Sequence, residues 1–240
     1  MDKALSYGAA FILGVGAGWV IQGRHWDVFL TSYIPALATL LAAFYGAKYA
    51  FQFQKDKEVE DIKRRNLVNA NIAIHALSRM ANKLFIYQRD FINPVRTSPA
   101  IFIELRPSLI LEKDLIRLNV DALYFLLETE HRNLLGEVII EEERYRSAID
   151  AINARSHIHQ NEVQPILEKM GFVQGSTYTF NQIEQFLGPR LYTTIQQTTQ
   201  QLIEHVDSTL ASLQKVGDKL TIDIKSLYPN QTVIGFKLPG

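Results

Sequence analysis

Two apolar stretches without a charged residue, Ala4 to Ile21 and Val28 to Ala47, stand near the N-terminus with only a short turn, Gln22 to Asp27, between them. At 1.5 Å rise per residue, a helix over either stretch is roughly 27–30 Å long, close to the hydrocarbon thickness of a bilayer. The pattern predicts a transmembrane helical hairpin, with helices at about 4–21 and 28–47 and the remainder of the chain in water. A charged run from Lys55 to Arg65 follows. The competing reading of residues 1–21 is a cleaved signal peptide. Its leading segment carries only one Asp and one Lys, and a second apolar span follows at once, so the hairpin is preferred.

Glycine marks the first stretch. Ala10, Gly14 and Gly18 lie four apart, a small-xxx-small face that lets another helix backbone approach closely. That neighbour is either the hairpin's own second helix or the same helix of another protomer. A dinucleotide-binding loop is excluded, because no strand precedes these glycines and the third is not at the required spacing. Trp19, Trp26 and Tyr33 cluster around the turn, and Tyr45 and Tyr49 lie at the far end, as an aromatic belt places them. Pro35 falls in the first half of the second stretch, so a kink there would sit toward the outer surface.

Basic residues set the topology. Lys48, Lys55, Lys57, Lys63, Arg64 and Arg65 follow the second stretch, whereas the turn holds only Arg24 and His25. By the positive-inside rule both termini face the cytoplasm and only the turn is outside. Lys48 can snorkel to the headgroups, and Lys63, Arg64 and Arg65 form a basic cluster about fifteen residues beyond the boundary. Acidic neighbours dilute that cluster, which reads as ordinary surface before it reads as a lipid site.

Beyond the membrane the pattern is helical. Leu67, Ala70, Ile74, Leu77, Ala81 and Leu84 repeat at a 3–4–3–4–3 spacing, a narrow stripe suited to helix-on-helix packing. A rod over residues 55–93 is expected, ending at Asn93-Pro94. A proline-punctuated connector leads into a cytoplasmic helical domain, residues 94–220, and a C-terminal tail, residues 221–240. Within that domain Asp121 is expected to cap a short helix through Leu127. A longer helix presents Leu134, Leu135, Val138, Ile139, Tyr145, Ile149 and Ile152. Pro165 and Gly171 bracket a brief helix, and residues 177–188 form another. The last long helix begins at Pro189 and is ended or weakened by Gly217. In the tail, Thr232 to Leu238 alternates and suits a short strand or an extended docking arm. The fold class is all-α, an N-terminal transmembrane hairpin continuous with a cytoplasmic helical bundle, with residues 1–54 as the hairpin unit.

Chemistry is sparse. Lys+Arg and Asp+Glu balance at 25 each, which gives no global field for nucleic acid or acidic substrates, and the absence of cysteine excludes thiolate sites and a disulfide framework. His157 and His159 make a two-ligand pair with only Glu162 nearby, too few for a metal site; they read as solvent-facing. Glu141, Glu142 and Glu143 point about 100° apart on a helix and read as a solvated face, with Glu142 paired to Arg146. A charge-free run on the last helix, Thr193 to Gln201, reads either as solvated polarity or as a partner-binding face. No phosphate loop, nucleophile elbow or zinc-protease motif is present, so a non-enzymatic protein without cofactor or bound metal is expected, with no direct nucleic-acid binding.

Three stretches, AAFYGAKYAFQFQKDKE, RRNLVNANIAIHALSRMANKLFIYQRDFINP and INARSHIHQNEVQPILEKMG, taken with the hairpin, resemble the two-transmembrane-helix effectors of bacterial retron anti-phage systems. The resemblance implies an inner-membrane protein held in check by a reverse transcriptase and its RNA–DNA product. Phage interference releases it, and it then damages the inner membrane so that the infected cell dies; the lipid bilayer and, through the Ala10, Gly14 and Gly18 face, other copies of the chain are its expected partners. A membrane-anchored scaffold or signalling adaptor is the alternative. The resemblance assigns no residue a catalytic role.

Overall fold

The computed structural model describes residues 34–110, 115–172 and 177–237, together with Thr31. The expected first membrane helix, the turn, and Ala10, Gly14 and Gly18 therefore lie outside the described residues. Among those described, every regular element is helical. Two units divide between Lys63 and Arg64, and one helix, α1 (Ile34–Tyr87), passes through the division.

In the first unit, the α1 side chains from residues 38 to 63 are all exposed. Leu40, Tyr49, Phe51 and Phe53 leave 60–73% of their surface uncovered. This N-terminal part of α1 is apolar and long enough to cross a membrane, on grounds of length and composition. Pro35 lies at the start of the described part of α1. Thr39 Oγ1 donates to the Pro35 carbonyl at 2.8 Å.

The second unit is built from the rest of α1 and five further helices. They are α2 (Ile101–Glu104), α3 (Asn133–Ile158), α4 (Gln164–Lys169), α5 (Phe180–Leu187) and α6 (Pro189–Leu227). Every residue of the predicted stripe, Leu67 through Leu84, is buried. It joins Leu134, Val138, Tyr145, Ile149 and Ile152 of α3 and Leu202, Val206, Leu213 and Leu220 of α6 in one core. The α3–α6 pair makes the most extensive helix packing. A smaller core gathers Phe102, Val163, Leu167, Ile183, Leu187 and Ile195 around α2, α4, α5 and the start of α6.

Local sequence explains the boundaries. Thr179 accepts from the Gln182 N–H while the Gln182 side chain accepts from the Thr179 N–H, a reciprocal capping box that starts α5. Gly188 ends it at φ 76° and ψ 154°, a backbone conformation reserved for glycine, and Pro189 then opens α6 at its first position. Gly171, at φ 72°, closes α4 in the same way.

Several boundaries differ from expectation. The α-helical part of the rod stops at Tyr87, followed by a wide π-type turn, Gln88–Ile92, and a tight 3-10 turn, Asn93–Val95, that takes Pro94 at its start. Packing on the rod begins only at Asn66 and Leu67, since the side chains of residues 55–65 are exposed. Asp121 does not cap its helix. The segment is a 3-10 helix, Asp121–Glu128, already begun at Asp121, and the nearby acceptor is Asn119 Oδ1, 3.4 Å from the Ala122 N–H. Gly217 does not end the last helix, and α6 continues through Thr221 to Leu227. The glycine is there because Phe236 covers it: a β-carbon at position 217 would lie 2.3 Å from the ring. The tail runs as a docked, extended arm. Asn71 donates to the Thr232 carbonyl (3.2 Å) and accepts from the Ile234 N–H (2.9 Å), and the Phe236 N–H donates to Thr221 Oγ1 (3.2 Å).

Candidate functional site

Arg155 is the least ordinary residue of the second unit. It sits on α3 with no exposed surface. Its Nε donates to Thr199 Oγ1 of α6 at 3.3 Å, and its Nη2 donates to the Phe102 carbonyl of α2 at 3.0 Å. Neither partner is a carboxylate, and Nη1 has no hydrogen-bond partner. Fully buried arginines are rare unless paired, because a desolvated guanidinium without a counter-charge is costly. Burial pulls its pKa down to about 10, against a smaller opposing pull from the Tyr87 phenol. It remains a cation at neutral pH.

Two more buried polar groups surround it electrostatically. Burial pushes the Tyr87 phenol up to about 12, with Arg155 opposing, so the hydroxyl stays protonated; its oxygen has no partner. His159 follows α3 in a π-type turn, His159–Val163. Its Nε2 lies 3.2 Å from the Ile103 carbonyl, which can only accept, so Nε2 carries the proton and the unpartnered Nδ1 is a bare acceptor. Burial first and Arg155 second bring its pKa down to about 4, so the ring is neutral.

Phe102 and Thr199, which hold Arg155, also line a cleft of about 690 Å³ between α2, the connector before it and α6. Pro99, Ile101 and Ile203 supply apolar wall, and Gln196 and Gln200 supply amides. Arg96 and Glu204 are the charged lining groups. Arg96 is already matched by Asp207 through paired bonds of 2.8 and 2.9 Å, and Gln88 donates to the same carboxylate. Those bonds hold the Asp207 carboxyl below the usual carboxylate range, with partial burial opposing them. Part of the charge-free run on α6 therefore forms a wall of this cleft. Thr199 is buried in it, whereas Thr193, Gln197, Gln200 and Gln201 are exposed.

The other expected site residues lie apart from this cleft. Lys48, Lys63, Arg64 and Arg65 are all exposed along α1. Of the two histidines, one differs from expectation. His157 faces solvent, but His159 is buried, because α3's apolar stripe (Ala148, Ile149, Ile152) continues onto its position. The acidic triplet is also corrected. Glu143 is solvated, while Glu141 and Glu142 are buried. Glu142 does pair with Arg146, and its second oxygen accepts from the Leu118 N–H at 3.2 Å. Glu141 accepts from Ser212 on α6, and burial raises its carboxyl above the usual range against that hydrogen bond.

Sequence reasoning passed over Arg155 and Tyr87, yet a signal existed. Tyr87 is the next step of the stripe Leu77–Met80–Ala81–Leu84, and Arg155 the next step of Ala148–Ile149–Ile152. A charged or phenolic residue in phase with a core stripe marks a buried polar group. No family model matches the chain, and neither a curated protein nor a solved structure does.

Proposed function

We propose that this chain is a non-enzymatic membrane effector of the retron-associated, abortive-infection type, in which the apolar N-terminal region acts on the bilayer and the helical domain restrains it. The observation that carries the reading is α1 itself. One helix begins as a segment with uncovered apolar side chains and becomes, from Leu67 onward, a structural member of a packed core. A segment of that kind is stable in contact with lipid and unfavourable in contact with water. In this reading the protein resides in the bacterial inner membrane with both termini cytoplasmic. Lys48 anchors it at the headgroups, and Ala10, Gly14 and Gly18 form the face through which hairpins associate. A reverse transcriptase with its RNA–DNA product is the regulator that the resemblance implies, bound through protein contacts.

The test is expression of the chain alone from a tight inducible promoter, with membrane potential and dye entry followed beside a Gly14→Leu, Gly18→Leu variant. Prompt depolarisation by the parent and none by the variant supports the effector reading. An intact membrane around well-inserted protein overturns it and favours the second reading, a membrane-anchored adaptor. The cleft between α2 and α6 favours that alternative, since the amides of Gln196 and Gln200 on its α6 wall suit recognition. An adaptor, unlike an effector, keeps its function when any two-helix anchor replaces residues 1–54.

A further inference from the structure

The cleft beside Arg155 carries an inference independent of the membrane reading, because all of its residues lie in the second unit. We propose that it binds a small-molecule oxyanion, a carboxylate or phosphate on an organic body no larger than a nucleotide, seated against Phe102 and Thr199 over the buried guanidinium of Arg155.

Four observations lead there. Arg155 is a buried cation whose two partners, a hydroxyl and a carbonyl, leave its charge uncompensated. Its Nη1 still has N–H groups to donate, and the buried Tyr87 hydroxyl is a further free donor that feels the Arg155 charge. The two residues that hold the guanidinium form part of the cleft lining, so the charge lies directly behind that part of the wall. The volume, about 690 Å³, falls within the range of small-ligand sites, and apolar wall with a few amides is the lining such sites use.

Charge accounting favours an anion. Arg96 is matched by Asp207 and adds little net field. Glu204 opposes, but it is exposed and screened by solvent, whereas Arg155 acts through dry protein where the effective dielectric is several-fold lower. The organic body would lie along Ile101 and Ile203, with Gln196 and Gln200 offering both amide donors and acceptors. A merely structural Arg155, clamping α2 to α6, would show no anion dependence at all.

The experiment uses the full chain in detergent micelles at constant ionic strength set with chloride. Inorganic phosphate and acetate are titrated separately, with heat of binding and the unfolding midpoint as readouts. A saturable signal with phosphate assigns a phosphate ligand, and one with acetate a carboxylate ligand; either supports the site. Arg155→Lys keeps a cation but loses the two bonds that fix it behind the wall formed by Phe102 and Thr199, and should weaken binding about tenfold. Gln200→Glu is an exposed change that leaves the core alone and should weaken binding several-fold by repulsion. It decides the matter if the Arg155 variant fails to fold. No saturable signal from either anion, or equal binding by the Gln200→Glu protein, overturns the proposal.

Discussion

The two ends of α1 are one helix with two kinds of surface. From Leu40 to Phe53 its large side chains lie uncovered, and from Leu67 to Leu84 its stripe is sealed by α3 and α6. The hydrophobic effect rewards removal from water whatever the receiving phase, so the same residue type plays opposite parts. Leu77 is fully buried and contributes to folding of the domain, whereas Leu41 is 44% exposed and contributes nothing to it. Periodicity separates the two cases. The C-terminal end carries a stripe that selects one face, while the N-terminal end is apolar all round, as a helix without a preferred neighbour is.

The sharpest way to break this comparison is a matched pair of truncations. Leu77→Ala should cost the domain about 2–5 kcal/mol of unfolding free energy, whereas Leu41→Ala should stay within about 0.5 kcal/mol. Denaturant unfolding of both variants in micelles measures it. Equal losses would mean that the N-terminal end of α1 is packed after all.

The next effect is a pH dependence confined to the second unit. The ring of His159 titrates at about 4 in the fold against about 6.5 unfolded, so the unfolded chain binds the proton more tightly. Stability should therefore fall as pH drops from about 6.5 through 4, by an amount on the order of 3 kcal/mol. Glu141 works the other way: its carboxyl is raised, so its contribution grows as pH falls. A His159→Gln variant, which keeps a donor toward the Ile103 carbonyl, should flatten the histidine part alone. An unchanged pH profile would show that His159 is not buried in solution.

Smaller still is Gly217→Ala. Its β-carbon would meet the Phe236 ring at 2.3 Å, so the ring has to leave. Loss of that burial costs about 1.5–3 kcal/mol and the better helix propensity returns about 1. The net change is modest, but hydrogen exchange at the Ile234 and Phe236 amides should rise sharply. Asp207→Asn should have the least effect, under about 1 kcal/mol, because the pair with Arg96 is more than a third exposed. Thermal unfolding at low and high salt reads that difference.

Most of the helical plan was legible, because it rests on local rules. Proline and glycine punctuation located α4, α5 and the start of α6, and the 3–4 stripe located the buried face of α1. What stayed hidden depends on contacts distant in sequence. Gly217 reads as a helix breaker until Phe236 is placed over it. Glu141 and Glu142 read as solvated until α6 and the chain near Leu118 cover them. Arg155 was hidden for a related reason: composition rules assign arginine to the surface, and only its phase with Ile152 argued otherwise. The cleft could not be read at all, since α2 and the middle of α6 meet only in the fold.

The arm that ends at Phe236 also sets an order of events during synthesis. Asn71 and Thr232, bonded in the finished fold, are 161 positions apart. At translation speeds on the order of 5–20 residues per second, roughly 10–30 s separate their appearance. Through most of that interval the stripe of α1 has its apolar neighbours on α6 still unmade. The domain is therefore closed last, by its C-terminal arm, and the uncovered stripe of α1 is the aggregation-prone part of the nascent chain until then.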